Sequence, residues 1–271
     1  MKNITLFSLF VLLLGVSSCS DYNEVLKSED YGRKFDMANK LYETDSKSQN
    51  GRSIALYEQI YQRLPKEPEG EVAYFRIGKA YYKTGDLYMA GYYLGNFPQR
   101  FPYSPKSEEA LFLSAMCSVQ NSPQHSLDQN ETEIAINNLQ QFVNRYPKSN
   151  LVDSCNNIID RLYFKIETKA YDAVKLYDKT MNYRAAASAG ITFTEDYPLS
   201  VFSEEVNYIL VKNSYFLAKN SVEAKKVERI ENTLERYSTF VSGFPESEYH
   251  SQLAGYDDEM KKELELLKLE K

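Results

Sequence analysis

The sequence predicts an all-α protein: a solenoid of about five helix pairs closed by a C-terminal helix. Three observations predict it. A bulky apolar residue followed by proline closes an amphipathic run five times, in "QRLPKEP" (62–68), "QRFPYSP" (99–105), "NRYPKSN" (144–150), "EDYPLSV" (195–201) and "SGFPESE" (242–248). The prolines, Pro65, Pro102, Pro147, Pro198 and Pro245, lie 37, 45, 51 and 47 residues apart. A proline ring disfavours α geometry in the residue before it, so each site ends one helix and leads to the next. Recurrence at this period marks a stacked array of supersecondary units. In the second unit, Gly78 and Ala90 are small where two helices would cross closely, and Thr84-Gly85-Asp86 supplies a turn in which glycine is free to take positive φ.

Taken in order, the first unit offers Ala38 and Leu41, then Ser53, Tyr57, Ile60 and the exit at Pro65. The second offers Tyr74, Ile77, Gly78 and Tyr81, then Ala90, Leu94, Phe97 and Pro102, a pattern that resembles a tetratricopeptide repeat. A bulky residue at 78 would force apart helices meant to pack at ~8–10 Å. The third unit has Ala115, then Ala135, Leu139, Phe142 and Pro147, with the polar insertion "QNSPQHSLDQNET" (120–132) between its helices. The fourth has Ala173 and Tyr177, then Ala186, Phe193 and Pro198; the fifth has Tyr208, Val211 and Tyr215, then Tyr237, Phe240 and Pro245. Insertions lengthen the turns and account for spacings above ~34 residues. The end, "YDDEMKKELELLKLEK", sets Tyr256, Met260, Leu264 and Leu267 on one stripe, as a helix capping the last pair would; a partner-binding helix is the alternative.

Ahead of the repeats, Lys2 precedes an apolar run from Ile4 to Val16. A helix needs ~20 apolar residues to span a bilayer, and this run instead fits the ~7–15 of a secretory leader. Val16-Ser17-Ser18-Cys19 then resembles a bacterial lipobox: an aliphatic residue, two small ones and the cysteine that takes the lipid. A plain secretory signal with an incidental cysteine is the other possibility. Cys19 is one of only 3 cysteines, which favours the lipobox. The other two, Cys117 and Cys155, fall in helical patterns without supporting spacing and are expected as packed free thiols.

Composition narrows the function. With 32 basic and 38 acidic residues the chain carries −6, a poor match for nucleic acid. Its 2 histidines, His125 and His250, lie in the polar insertion and beside an exit turn, which argues against histidine-based catalysis or metal chemistry. No phosphate loop or metal-binding spacing occurs, and the carboxylates decorate helices. No cofactor is expected, and a binding protein rather than an enzyme.

The lipobox, five repeats, the F/Y-P-x-S exits, the insertion in the third unit and the continuous helical stretch from about Leu151 to Lys179 together resemble the BamD family of outer-membrane β-barrel assembly lipoproteins. That resemblance spans essentially the whole mature chain. It implies a lipid-anchored protein facing the periplasm, a BamA-like assembly partner, and unfolded outer-membrane proteins as clients. The chain then divides into a leader (1–18), a lipidated tether from Cys19 to residue 30, N-terminal repeats (31–150) as client-binding candidate, and C-terminal repeats with the cap (151–271) as partner-binding candidate. The family's basic, aromatic surface in the fourth unit is reduced here to Tyr183 and Arg184 of "NYRAAASAG" (182–190). With Gly78 as eighth position, the fifth, ninth and twelfth positions should line a groove: Phe75, Lys79 and Tyr82; Phe35, Asn39 and Tyr42 in unit one; Phe112, Met116 and Val119 in unit three. An extended, aromatic-ended peptide would lie there, with Lys79 available to its terminal carboxylate and Phe75 contributing little to the fold; the alternative is that these rings simply pack against the neighbouring pair. Two other classes remain: a glycan-binding lipoprotein beside a sugar importer, which the absence of Trp disfavours, and a scaffold for other envelope complexes.

Overall fold

The structure is a computed structural model that describes residues 21–44 and 46–269. The leader and Cys19 lie outside the described residues. After a helical segment over residues 21–27 come five helix pairs. These are α1 (Tyr31–Glu43) with α2 (Lys47–Arg63), α3 (Pro68–Thr84) with α4 (Leu87–Arg100), and α5 (Ser107–Asn121) with α6 (Asn130–Arg145). The last two are α7 (Val152–Lys179) with α8 (Tyr183–Asp196) and α9 (Ser203–Lys219) with α10 (Glu223–Gly243). A final helix, α11 (His250–Leu269), packs on α9 and α10. It buries Leu253 and Met260 and stacks Tyr256 on Tyr215 at 4.2 Å, so the expected cap is present. The expected all-α repeat solenoid is therefore what the chain forms.

The exits repeat in atomic detail. Leu64, Phe101, Tyr146, Tyr197 and Phe244, each directly before a proline, leave the helix with φ between −125 and −132 and ψ between 51 and 67. All five thus leave the α region, which a following proline ring disfavours. The serine three residues on explains the F/Y-P-x-S pattern. Its N–H donates to the aromatic residue's carbonyl, at 3.1 Å for Ser104, 3.0 Å for Ser149, 3.1 Å for Ser200 and 3.2 Å for Ser247. Its Oγ accepts from the N–H two residues later, at 3.2, 3.1, 2.9 and 3.2 Å respectively. Serine hydroxyls readily substitute for backbone partners in turns of this kind. One helical turn earlier a second ring meets the exit ring: Phe97–Phe101 at 5.1 Å, Phe142–Tyr146 at 5.6 Å, Phe193–Tyr197 at 5.0 Å and Phe240–Phe244 at 5.3 Å. Eight of the chain's 37 tyrosine and phenylalanine rings sit at these exits.

The described residues form two compact units, divided after Leu162 inside α7. In the first, Ala38, Tyr57, Ile60 and Ile77 belong to one core cluster, and Tyr74, Leu94, Phe97 and Cys117 to a second. Gly78 stands where expected: a Cβ there would lie 2.7 Å from Leu94 Cγ and 3.2 Å from Tyr93 Cβ. Cys117 and Cys155 are free and buried, and burial pushes the Cys117 thiol up to about 11. In the second unit, Tyr171, Val174, Phe193, Val206 and Ile209 form one core and Val211, Phe240 and Leu253 another.

The two intra-pair turns of units two and four differ in one informative way. Gly85 has φ 92, and the N–H groups of Gly85 and Asp86 both reach the Tyr81 carbonyl at 3.0 Å; Asp86 then caps α4 through the Met89 N–H at 3.2 Å. In the fourth unit Met181 takes φ 56 in the same left-handed region, Asn182 N–H reaches the Tyr177 carbonyl at 3.0 Å, and Asn182 caps α8. A side chain there costs ~1–2 kcal/mol that glycine avoids. Met181→Gly is therefore expected to raise stability by about 1 kcal/mol, as a shifted midpoint in urea denaturation without a change of slope.

Candidate functional site

The expected groove positions sit on α1, α3 and α5. In the first unit Asn39 Oδ1 accepts from Tyr57 OH at 2.7 Å and from Arg76 Nη1 at 2.5 Å. Tyr42 meets Tyr57 edge-on at 6.3 Å, and its face carries two cations, Arg76 at 4.9 Å and Lys83 at 4.4 Å. Burial pushes the Tyr57 hydroxyl up to about 12, with Arg76 pulling the other way. Phe35 is half-buried against the first core cluster. Phe112 is half-buried and meets Phe142 at 5.5 Å; Met116 and Val119 are half-buried.

At the middle ring the packing alternative holds. Phe75 is only 7% exposed and belongs to the core, 5.2 Å from Phe97. It is therefore packing α3 onto α4 rather than lining an open slot. Lys79 lies over the Phe75 ring at 5.3 Å and is paired with Glu109 at 2.6 Å, so an incoming carboxylate would have to displace Glu109. Tyr82 OH accepts from Gln120 Nε2 at 2.5 Å. The first set has an aromatic face with two cations on it, one of which, Arg76, also pairs with Glu43 at 3.8 Å. Those cations, Arg76 and Lys83, come from unit two and were not among the expected residues.

The lysine arrangement is a repeated device. "FRIGK" (75–79), "YDAVK" (171–175), "YILVK" (208–212) and "YFLAK" (215–219) each set a lysine four residues after a ring. On a helix that spacing brings the ammonium over the ring. The distances are 5.3, 4.8, 5.6 and 5.3 Å. Each lysine then pairs with a carboxylate on another helix: Glu109 at 2.6 Å, Glu205 at 3.6 Å, Asp178 at 2.8 Å and Glu259 at 2.8 Å. Glu259 and then Tyr215 hold the Lys219 ammonium above its ordinary range. These ladders join neighbouring helices, and the spacing that announces them was present in the sequence.

In the second unit Tyr183 stacks on Phe216 at 5.1 Å with an interplanar angle of 20°, while Arg184 is exposed. The stretch around them contributes in another way. The alanines of "NYRAAASAG" leave a cavity of about 380 Å³, lined by Ala170, Ala173, Tyr177, Ala185, Ala189 and Phe193, with Asp196 at its edge. No helix among the described residues is long and apolar enough to cross a membrane.

The chain matches the model of one protein family, YfiO, described as outer membrane lipoprotein, over residues 36–186 and again over 164–265. No curated protein matches it.

Proposed function

The chain belongs to the outer membrane lipoprotein family, and from that premise we propose that it is a lipid-anchored, non-enzymatic scaffold of β-barrel assembly. Its lipid sits on Cys19, its body faces the periplasm, and it joins unfolded outer-membrane proteins to a BamA-like partner. The observation that carries this reading is the family match, which runs through both compact units rather than over one repeat alone. Repeats of this kind bind peptides along paired helices, and the first unit supplies a ring, Tyr42, under two cations, which suits a chain end bearing an aromatic residue and a carboxylate. The second unit, with its cavity between α7 and α8, is the candidate seat for the partner.

Capture of the tagged full-length chain from gently solubilised membranes tests the reading directly. A barrel-shaped assembly protein is the expected companion; a sugar importer or cell-division proteins in its place would overturn it. The anchor has its own test. Cys19→Ala is expected to leave the precursor unprocessed or to release a soluble form, and normal maturation with membrane retention would refute lipidation. For the client face, Lys83→Glu is expected to weaken a peptide ending in an aromatic residue and free carboxylate by about tenfold, because a cation over the receiving ring becomes a like charge. Isothermal titration against the amidated peptide separates the carboxylate's share.

A further inference from the structure

We propose that the first helix pair lies directly on the bilayer surface, with residues 21–27 as its docking element and the lipid headgroup layer as its partner. This rests on the lipid at Cys19 proposed above. The physical case begins with what the segment does after the cysteine. Residues 21–27 are helical, and Tyr22 and Val25 are 9% and 0% exposed within the core cluster that also holds Leu41, Ile54 and Tyr57. They form a fixed part of the first unit, not a loose tether.

Three further residues, Arg52, Arg33 and Lys34, fix the segment in place. Tyr22 OH donates to the Arg52 carbonyl at 3.1 Å, and the Arg52 guanidinium lies over the Tyr22 ring at 4.2 Å. Arg33 on α1 reaches back to Asp21 at 2.8 Å and Glu24 at 2.6 Å. Lys34, 4% exposed, donates Nζ to the Leu26 carbonyl at 3.2 Å and to the Gln59 side chain. It thus places a cation at the C-terminal end of the segment, where helix carbonyls favour positive charge.

The reach between this element and the anchor is set by covalent geometry. Asp21 is two residues after Cys19, and consecutive Cα atoms are ~3.8 Å apart, so the lipid attachment point lies within about 8 Å of a residue fixed to the core. The headgroup zone on one side of a bilayer is itself about 5–7 Å deep. A lipid held so close brings the Asp21 end of the first unit against that zone. The surface there suits it electrostatically. The exposed charges of residues 21–33 are Asp21, Glu24, Glu29 and Asp30 against Lys27 and Arg33, and Arg33 pairs with Asp21 and Glu24. Zwitterionic headgroups carry no net charge to repel this small negative excess, so the acyl chains decide its placement.

The test uses the lipidated full chain in phosphatidylethanolamine vesicles containing a lipid with a nitroxide on its headgroup. A fluorophore on Lys27→Cys reports proximity; Cys117 and Cys155 are buried and escape labelling. Strong quenching is expected, reduced several-fold when a Gly-Ser linker of about twelve residues, with a reach of about 20 Å, is inserted between Ser20 and Asp21. With the lipid on Cys19 confirmed by mass, weak quenching in the unmodified chain, or quenching indifferent to the linker, overturns the placement and leaves the anchor standing. A mass showing bare Cys19 overturns the anchor and the placement together.

Discussion

Gly70→Ala is expected to destabilise the chain over residues 21–271 by about 4 kcal/mol or more, beyond the ordinary cost of overpacking. Gly70 lies in the first turn of α3, under the exit from α2. A Cβ there would stand 1.7 Å from the Leu64 carbonyl oxygen and 2.8 Å from its carbon. Backbone cannot rotate away as a side-chain tip can. Gly78 is crowded by the side chain of Leu94, which has somewhere to move, so Gly78→Ala should cost less than Gly70→Ala although Gly78→Leu should not. The other exits show what the position is for. Six residues after the exit residue, Ser107 Oγ donates to the Phe101 carbonyl at 3.0 Å, and His250 Nε2 meets the Phe244 carbonyl at 2.7 Å. Where those units use a side chain to satisfy the carbonyl, the first uses none and closes tighter. Urea denaturation of the three variants decides it. Equal stability of Gly70→Ala and the parent would mean that the exit is far more pliable than its geometry states.

What the sequence disclosed divides by the range of the interaction. The exits were legible because everything that makes them is local: a proline, the ring before it and the serine after it lie within four residues. Gly78 was legible because a two-helix crossing needs a small residue at a fixed offset. Gly70 was missed because its constraint comes from a carbonyl, which has no sequence signature. The ring-lysine pairs are written out in four pentapeptides, but they lie outside the proline and small-residue positions that define the repeat. Their carboxylates were beyond reach, since Glu109 is 30 residues from Lys79 and Glu259 is 40 from Lys219. The tether illustrates the same limit from the other side. Residues 21–27 carry little periodicity, and only contacts with Arg33, Lys34 and Arg52 reveal that they are docked.

Phe75→Ala carries the other large effect, and it bears on the client site as well as on the fold. Register alone placed Phe75 beside Phe35 and Phe112 as one of three equivalent rings on a receiving face. Equivalent register does not give equivalent surroundings, because a modest roll of a helix moves a fifth-position ring from the open side to its partner helix. Phe35 and Phe112 remain half-buried, whereas Phe75 is 7% exposed, 5.2 Å from Phe97, in the cluster that holds Leu94 and Ala110. Truncating a buried phenylalanine costs about 3–5 kcal/mol, from lost burial and the cavity left behind. Phe75→Ala should lose that much in denaturant, while Phe35→Ala loses less. Lys79 should also loosen, since the ring is the floor beneath its ammonium, and the Lys79–Glu109 pair would be seen to weaken as a smaller coupling in a double-mutant cycle. Peptide affinity supplies the decisive contrast. If Phe75→Ala costs under about 1 kcal/mol of stability yet abolishes peptide binding, the ring belongs to the client surface after all. If stability falls as expected and the folded fraction still binds, the client face begins at Tyr42 with Arg76 and Lys83, and Phe75 is the core that holds α3 in position to present them.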